Sequence, residues 1–453
     1  MIMMRKRNVD MLQGNLYTNV LLFSLPLIAS GIIQLLFNAI DMIVVGQFSG
    51  SNSMAAVSST SSLISLVTNL FIGLSIGSSV CIAKRIGSGS YESISKAVQT
   101  SITIALIFGG ILMVFGILFS KWLLVLMKSP DDVIDLSTLY LRVYFTGMPA
   151  TMVYNFASAV LRAKGDTKRP LIILTIAGVL NALLNLFFVV NLKMDVAGVG
   201  LASSLSTYVS AILVIIVLIT DPGFTRFDPK DLHIDIDSLK EIASVGIPAG
   251  IQSTMFSLSN VVIQSSINEF GGTVMAANGA ASSIGNFIYN AMSAFQQTCL
   301  TFTSQNIGAG KIDRIKKILF VCLLMVVLTG GLLGLSAYIF GRPLLSLYTK
   351  DSNVIASGLT RLLYVCVPYF IYGFMDVIVG ALRGMGTSLA PMIVSLLGIC
   401  AFRLVWVATF FRSHHTIEAL YISYPISWII TAVVQSLIFI FAYTRLVKNS
   451  VKL

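Results

Sequence analysis

Long apolar runs dominate this chain, and short polar loops separate them. Each run holds roughly 20 or more mostly apolar residues, the length that an α-helix needs to cross a bilayer. The runs are continuous rather than alternating, which is not the pattern of a membrane-spanning barrel. They begin near Thr18, Met54, Ser95, Val133, Leu171, Val196, Leu239, Val274, Ile315, Asn353, Leu389 and Ile417. The pattern predicts an all-α integral membrane protein with twelve transmembrane helices.

Two sequence motifs occur twice at the same offset. VLRAKGDTKRP begins at Val160 and returns as ALRGMGTSLAP at Ala381, 221 positions later. IGSGSYESISKA begins at Ile86 and returns as IGAGKIDRIKKI at Ile307. Membrane transporters are commonly built from paired repeats, and six helices per repeat give halves related by an axis along the membrane normal. We therefore predict two pseudo-symmetric lobes of six helices each.

The longest polar stretch lies between the two halves. It is dense in Asp, and Leu232, Ile234 and Ile236 alternate there with charged residues. This alternation suits a short interfacial segment, and a solvated linker fits about equally well. The predicted organisation is an N-terminal lobe at 1–220, a cytoplasmic linker at 221–240 and a C-terminal lobe at 241–453.

Composition and charge agree with a membrane protein. The chain is 56% hydrophobic and 11% charged, with a formal net charge of +11, and its mean hydropathy is +0.88. The basic residues do not form a patch, because most lie in loops on one side of the predicted spans. By the positive-inside rule that side is cytoplasmic, which places both termini there in a plasma-membrane protein and argues against nucleic-acid binding. The five cysteines have no paired spacing, so neither a disulfide framework nor a metal site is expected.

Polar side chains recur at helical spacing in the first two spans of each half. Such stripes are costly against lipid, so they either line a wet central cavity or hydrogen-bond neighbouring helices. Their occurrence in repeat-related helices favours the cavity. The predicted cavity residues, with adjacent apolar and aromatic substrate contacts, are Gln34, Phe37, Asn38, Ser62, Ser65, Asn69, Met255, Asn260, Gln264, Asn278, Ser282, Asn286 and Tyr289.

Asp41 is the most informative single residue. A carboxylate within an apolar helix costs about 2.5 to 3.5 kcal/mol on insertion scales unless it is protonated or paired. It could therefore bind and release a cation as its surroundings change, or it could be a permanently hydrogen-bonded structural residue. Pro26 in the same span removes a backbone hydrogen bond and predicts a bending point. Asp376 and Arg403, also within spans, are interpreted as a pair.

These residues resemble the multidrug and toxic compound extrusion (MATE) transporters. The resemblance rests on the duplicated six-helix unit, on Pro26 and Asp41, on LRAKGDTKRP with its echo LRGMGTSLAP, and on NALLN at Asn181. It implies two lobes around a central cleft lined by the first two helices of each half. It also implies antiport of cationic, amphipathic compounds against protons or sodium, without a cofactor.

The resemblance carries over unevenly to individual positions. Asp41 matches the essential carboxylate of the family, and Asn181 matches a neighbouring Asn. Asn185 departs from the family, because many relatives have an acid there. The resemblance therefore implies one carboxylate assisted by neutral oxygens, and proton and sodium coupling both stay open. The implied ion-coupling residues are Asp41, Asn181, Asn185, Ser203 and Thr207.

Other functions fit less well. A flippase for lipid-linked intermediates, from the same superfamily, is the alternative, but it should have a cationic cavity. An enzyme is not expected, since no His lies in a span, and neither a channel filter nor a P-loop is present. His414 and His415 lie in an outer loop with Glu418, where a solvated loop fits better than a metal or pH-sensing site. A monomer is favoured because one chain holds both halves.

Overall fold

The structure is a computed structural model that describes residues 8–127 and 133–450, except for the side chains of Ser51, Ser62 and Ser450. Every regular element in these ranges is a helix. The α-helices are α1 Leu16–Phe48, α2 Ser51–Ser88, α3 Tyr91–Leu126, α4 Ile134–Phe145, α5 Met148–Ala163, α6 Lys168–Asn185, α7 Asp195–Ile219, α8 Ile236–Asn268, α9 Gly272–Gly308, α10 Asp313–Ile339, α11 Gly341–Ser346, α12 Ser352–Arg361, α13 Tyr369–Gly384, α14 Leu389–Ser395, α15 Phe402–Trp406, α16 Ile417–Tyr421 and α17 Ser423–Ser450. Four π-helical turns extend or join them at Leu186–Asn191, Leu362–Cys366, Leu396–Ala401 and Val407–Phe411.

The predicted fold class is confirmed. Each of the twelve apolar runs is helical, and some spans consist of two α-helices joined by a short turn. Within the described ranges, nine helical stretches are long and apolar enough to cross a bilayer. The other three predicted spans are α4 with α5, α8 and α9. Helices α4 and α5 are only 12 and 16 residues long, and α8 and α9 are interrupted by polar side chains of two predicted stripes.

Two compact units make up the fold. The first consists mainly of Ala29–Gly250, and the second combines Asp10–Ile28 with the chain from Ile251 onward. The first part of α1 thus belongs to the second unit, and the first part of α8 belongs to the first unit. In both helices the division falls two residues after an internal proline, Pro26 or Pro248. The sequence-based boundaries at residues 220 and 240 describe where one repeat ends and the next begins. They stay a prediction.

The repeated motifs form equivalent helix corners. Gly165 and Gly386 both adopt a left-handed backbone conformation, with φ of 96° and 81°. The next residue in each case, Asp166 or Thr387, donates its N–H to the carbonyl of the motif leucine at 2.9 Å. Glycine adopts this conformation without the steric cost that a Cβ would add. The two copies of the motif therefore share their spacing because both form the same backbone turn.

An ion pair closes the corner that follows α5. Lys164 Nζ donates to both carboxylate oxygens of Asp221 at 2.7 and 2.5 Å, and Thr225 Oγ1 donates to Asp221 Oδ2 at 2.6 Å. Burial raises the pKa of the Asp221 carboxyl, but the hydrogen bonds from Lys164 and Thr225 outweigh it and hold that pKa below its ordinary value. The ionised pair therefore stabilises the folded state at neutral pH.

We expect Asp221→Asn to lower the free energy of unfolding at neutral pH by about 1–3 kcal/mol, because it leaves the Lys164 ammonium without its counter-ion. The pKa of the Asp221 carboxyl is lower in the folded state than in the unfolded state, where it is about 4. The ion pair therefore adds stability above about pH 4, and this stability is lost as the pH falls through the pKa of the folded state. The difference between variant and wild type should therefore shrink on acidification below about pH 4. Thermal unfolding in detergent, followed by thiol labelling of the five buried cysteines, measures it.

The exposed pair Glu92–Lys96 provides the control, since Glu92 is 82% exposed and Lys96 is 45% exposed. Glu92→Gln should change the free energy of unfolding much less than Asp221→Asn does, because water and salt screen an exposed ion pair. Equal effects of Asp221→Asn and Glu92→Gln would contradict a stabilising role for the Asp221 ion pair.

Four glycines bring α2 and α8 into backbone contact within the first unit. A Cβ atom on Gly73 would overlap the backbone of Gly250, and one on Gly77 would overlap the carbonyl oxygen of Ile242. Conversely, a Cβ on Gly246 would meet the backbone of Leu74. Each helix thus supplies two glycines spaced by four residues, the small-xxx-small pattern of close membrane helix packing.

Candidate functional site

Asp41 lies in a chain of hydrogen-bonded polar side chains within the first unit. Asn185 Nδ2 donates to Asp41 Oδ1 at 2.5 Å and to Asn181 Oδ1 at 3.3 Å. Asn181 Nδ2 in turn donates to Ser203 Oγ at 3.4 Å. Asn185 is fully buried and Asn181 is 7% exposed. The structure therefore brings together four of the five predicted ion-coupling residues.

Local helix geometry explains why these groups meet. Asn181 and Asn185 are four residues apart on α6, so their side chains lie on one face of that helix. At Asn185 the α-helix passes into the π-helical turn Leu186–Asn191, a wider geometry that is frequent at functional sites. Helix α7, which carries Ser203, packs against α6. The Thr207 hydroxyl donates to the Ser203 carbonyl at 2.7 Å. Thr207 therefore contacts Ser203, at the end of this row of hydrogen-bonded side chains, and not Asp41.

One buried oxygen in this site has no hydrogen-bond partner. Asn185 Oδ1 is enclosed, and no described group donates to it. An unpaired buried acceptor is costly, so a water molecule, an ion or another donor is expected beside it. Beside the Asp41 carboxylate and the Ser203 hydroxyl, this amide oxygen provides a further ligand suited to a small cation, since neutral and anionic oxygens are the ligands of hard cations. The chemistry of the site therefore fits binding of a monovalent cation or a proton.

Two tyrosines near Asp41 were not predicted from the sequence. Tyr140 and Tyr144 lie on α4, close enough for the Asp41 charge to act on both phenols. Their rings contact each other with centroids 5.8 Å apart. The four-residue spacing of these tyrosines was the available signal, but it predicts only a shared helix face. Which helix that face meets depends on the tertiary fold.

The remaining cavity predictions in the first unit have different outcomes. Gln34, Asn38 and Ser65 are exposed, and Asn69 is partly buried. The side chain of Ser62 lies outside the described side chains. Phe37 packs its ring against Gly178 of α6, so closely that a Cβ on that glycine would overlap it. Phe37 thus has a packing role beside Asp41, and its predicted substrate contact stays a prediction.

In the second unit, part of the polar stripe is used internally. Asn278 Nδ2 donates to Gln264 Oε1 at 2.9 Å, and Gln264 Nε2 donates to Asn268 Oδ1 at 2.9 Å. Tyr421 Oη donates to Asn278 Oδ1 at 3.4 Å. Gln264 and Asn278 were expected either to line a cavity or to hydrogen-bond neighbouring helices, and in the structure they hydrogen-bond each other. The physical reason is that α8 and α9 are consecutive helices whose polar faces can satisfy each other.

The other cavity predictions of this unit remain accessible to different degrees. Asn260, Asn286 and Tyr289 are exposed, and Ser282 is partly buried. The Tyr289 ring packs on Tyr372 with centroids 5.7 Å apart. The partly buried Met255 accepts a hydrogen bond at its carbonyl from Cys400 Sγ at 3.6 Å. Their predicted role in binding substrate stays a prediction.

The interpretation of Asp376 and Arg403 as a pair is wrong. Arg403 lies over the Tyr424 ring at 4.1 Å and donates from Nε to Ser427 Oγ at 3.1 Å. The nearest positive charge acting on Asp376 is that of Arg383. Arg403 and Asp376 are on different helices, and an aromatic face can satisfy a guanidinium as a carboxylate can.

His414 and His415 are both exposed, which agrees with the expected solvated loop. His415 Nε2 lies 3.1 Å from Glu269 Oε2, so its acidic neighbour is Glu269 rather than Glu418. His414 stacks on Phe410 with ring centroids 4.5 Å apart. Over residues 8–127 and 133–450, no cluster of three or more potential metal ligands occurs.

The fold and the site together define a membrane transporter built from two related helical halves. A family model described as MatE matches residues 26–187 and again residues 248–409. The second match begins 222 positions after the first, which agrees with the duplication. The chain belongs to the MATE family, whose members are transporters and not enzymes.

Similar proteins extend over most of the chain. The probable multidrug resistance protein YoeA of Bacillus subtilis is 27% identical over 96% of this chain and 94% of its own length. YpnP of the same organism, with the same description, is 26% identical over 88% and 90%. An FAD transporter of Shewanella oneidensis is 23% identical over 81% and 82%.

Solved structures show the same fold. An outward-facing multidrug resistance MATE transporter has a TM-score of 0.91 at 20% identity, covering 98% of this chain and 99% of that chain. A MOP superfamily transporter from Pyrococcus furiosus has a TM-score of 0.89 at 20% identity, with 97% and 99% covered. The twelve-helix, two-lobed prediction agrees with these structures.

Proposed function

We propose that this protein is a secondary active antiporter that exports cationic or amphipathic organic compounds in exchange for protons or sodium ions. The observation that carries the proposal is the Asp41 site, where one carboxylate lies beside a buried amide oxygen without a partner. The similarity to YoeA and YpnP, which are described as probable multidrug resistance proteins, supports the export of drugs. No cofactor is part of the proposal.

The coupling follows from the chemistry of a single carboxylate. Asn181, Asn185 and Ser203 are neutral, so the charge of the site depends on whether Asp41 holds a cation. Binding of the cation stabilises the conformation in which the carboxylate is least solvated, since an uncompensated charge there is costly. Substrate stabilises the other conformation. The side of the membrane with more cation favours the cation-bound state, and the other side favours the state without the cation. A cation gradient therefore drives export.

The proposed setting is the plasma membrane, with both termini in the cytoplasm. The distribution of Lys and Arg among the loops supports this orientation. The proposed acting unit is a monomer, because one chain supplies both related halves. Its partners are the bilayer and small organic cations.

Efflux from proteoliposomes tests the proposal and distinguishes the two cations. An imposed proton or sodium gradient should drive accumulation of a fluorescent organic cation, and a gradient of the wrong cation should not. If sodium is the coupling ion, Asn185→Ala should raise the sodium concentration needed for half-maximal transport about tenfold, because it removes the unpaired amide oxygen that would bind the ion. If the proton is the coupling ion, the same change should lower the proton concentration needed, because the ionised Asp41 carboxylate loses a donor that stabilises it. Transport that ignores both gradients would overturn the antiport mechanism.

A further inference from the structure

Three arginines of the second unit are buried within predicted membrane spans. Arg361, Arg383 and Arg403 are 8%, 5% and 4% exposed. A guanidinium stays protonated in proteins, so it cannot escape burial by losing its charge. Each one therefore needs compensation by a carboxylate, an aromatic face, hydrogen-bond acceptors or a bound anion.

Two of these arginines have protein partners. Arg383 Nη2 donates to Gln252 Oε1 at 2.9 Å, and the charge of Asp376 acts on it. Arg403 lies over Tyr424 and donates to Ser427, as described above. Their compensation comes from the chain itself.

Arg361 differs from both. Its Nε and Nη1 atoms are buried and make no hydrogen bond with any described group. It also forms no ion pair with a carboxylate in the described part of the chain. Arg361 is the last residue of α12, inside the apolar stretch Ser352–Gly384. Arg361 lies about 14 Å along that helix from Ser352.

The groups around Arg361 can complete an anion site. Helix α12 packs against α9 and α16, which carry Asn278 and Tyr421. The Arg361 charge acts on the phenols of Tyr421 and Tyr369. The bond from the Tyr421 hydroxyl to Asn278 is long at 3.4 Å, so this hydroxyl can turn and donate to an anion instead. Arg361 and Tyr421 would then each supply a donor to one anionic group.

We propose that Arg361 and Tyr421 bind the anionic group, a carboxylate or a phosphate, of an amphipathic transported compound. The inference rests on the proposed transport function and narrows its substrates to compounds that carry an anionic group beside their organic cation. A charge-assisted hydrogen bond is stronger than one between neutral groups, so the site would discriminate between an acid and its ester.

A rhodamine dye, as its free acid and as its methyl ester, provides the matched probes. With Arg361→Gln, the KM for the free acid should rise about tenfold or more, whereas the KM for the ester should stay within about twofold. Arg361→Lys keeps the charge and should recover part of the discrimination. Arg142→Gln is the control, because Arg142 lies in the last turn of α4 and is exposed.

Thermal unfolding separates binding from a structural role. Removing a buried charge without a partner should leave Arg361→Gln as stable as the wild type or more stable. The free acid should raise the melting temperature of the wild type and not that of Arg361→Gln. An equal loss of acid and ester transport, or no effect of the variant on either dye, would overturn the proposal.

Two further arms identify the source of the anion and keep this inference separate from the transport proposal. Wild type and Arg361→Gln are reconstituted with neutral lipid alone and with added anionic phospholipid. If the wild type discriminates between acid and ester in both lipid mixtures, the result supports a substrate site. If the wild type retains anionic lipid, Arg361→Gln does not, and neither discriminates between the dyes, the proposed substrate site is overturned. Dye binding in detergent, followed by tryptophan quenching, needs no gradient. Arg361-dependent binding without gradient-driven efflux would reject the antiport mechanism while keeping the site.

Discussion

Replacing Asp41 by Asn is expected to abolish gradient-driven efflux, leaving proteoliposomes with the variant at the level of protein-free vesicles. Asn keeps the size of the side chain and can hydrogen-bond with Asn185, which donates to Asp41 Oδ1 at 2.5 Å. It cannot carry a negative charge, so occupancy of the site no longer changes with the cation gradient. The measurement is the initial rate of dye efflux under an imposed proton or sodium gradient.

Two controls accompany this variant. Asp135→Asn removes a carboxylate that is 84% exposed and should transport as wild type does. Thiol labelling of the buried cysteines during heating should show that Asp41→Asn unfolds at a temperature close to that of the wild type. If folded Asp41→Asn responds to the gradient as wild type does, Asp41 has no part in the coupling.

The second large effect concerns the crossing of α2 and α8. Gly77→Ala and Gly250→Ala should each lower the free energy of unfolding by about 1–3 kcal/mol, because the added methyl group overlaps backbone of the facing helix. Backbone cannot move aside as a flexible side chain can, so the helices must separate. The same thermal assay in detergent measures the loss.

Gly110→Ala and Gly331→Ala are matched controls, since a Cβ at either helical position meets no atom within 4 Å. Alanine favours a helix over glycine by about 1 kcal/mol, so these controls should be neutral or stabilising. The two groups of variants therefore differ in sign. Stabilisation by Gly77→Ala would show that the backbone contact does not hold the two helices together.

The crossing also explains how the two units are built from the chain. The first part of α8 belongs to the first unit, where its glycines meet α2. Correspondingly, the first part of α1 belongs to the second unit, where Ser24 Oγ lies 2.8 Å from Thr298 Oγ1 and Phe23 meets Phe302 edge to face with centroids 5.5 Å apart. The repeats thus make equivalent contacts with different residues, glycine backbone in one and a hydroxyl pair in the other. A sequence repeat alone does not reveal this exchange of helix segments.

The polar stripes show where sequence reasoning ends. Helical spacing placed Gln264 on one face of α8 and Asn278 on one face of α9, and both placements agree with the structure. The two side chains nevertheless hydrogen-bond each other at 2.9 Å. Periodicity identifies residues that share a face, but it does not identify what that face meets. Arg361 shows the same limit, since only its burial without a partner distinguishes it from other arginines.

The sequence by itself determined the membrane setting, the helical class and the duplication, and it identified Asp41 as the candidate coupling residue. These follow from local chemistry, because the length of an apolar run and the cost of a carboxylate in lipid do not depend on distant residues. Only the tertiary structure decided that Asn185 and Asn181 join Asp41, that Tyr140 and Tyr144 lie close by, and that Arg403 meets Tyr424 instead of Asp376. Those contacts join residues far apart in the chain, and they exist only because packing of whole helices brings particular faces together.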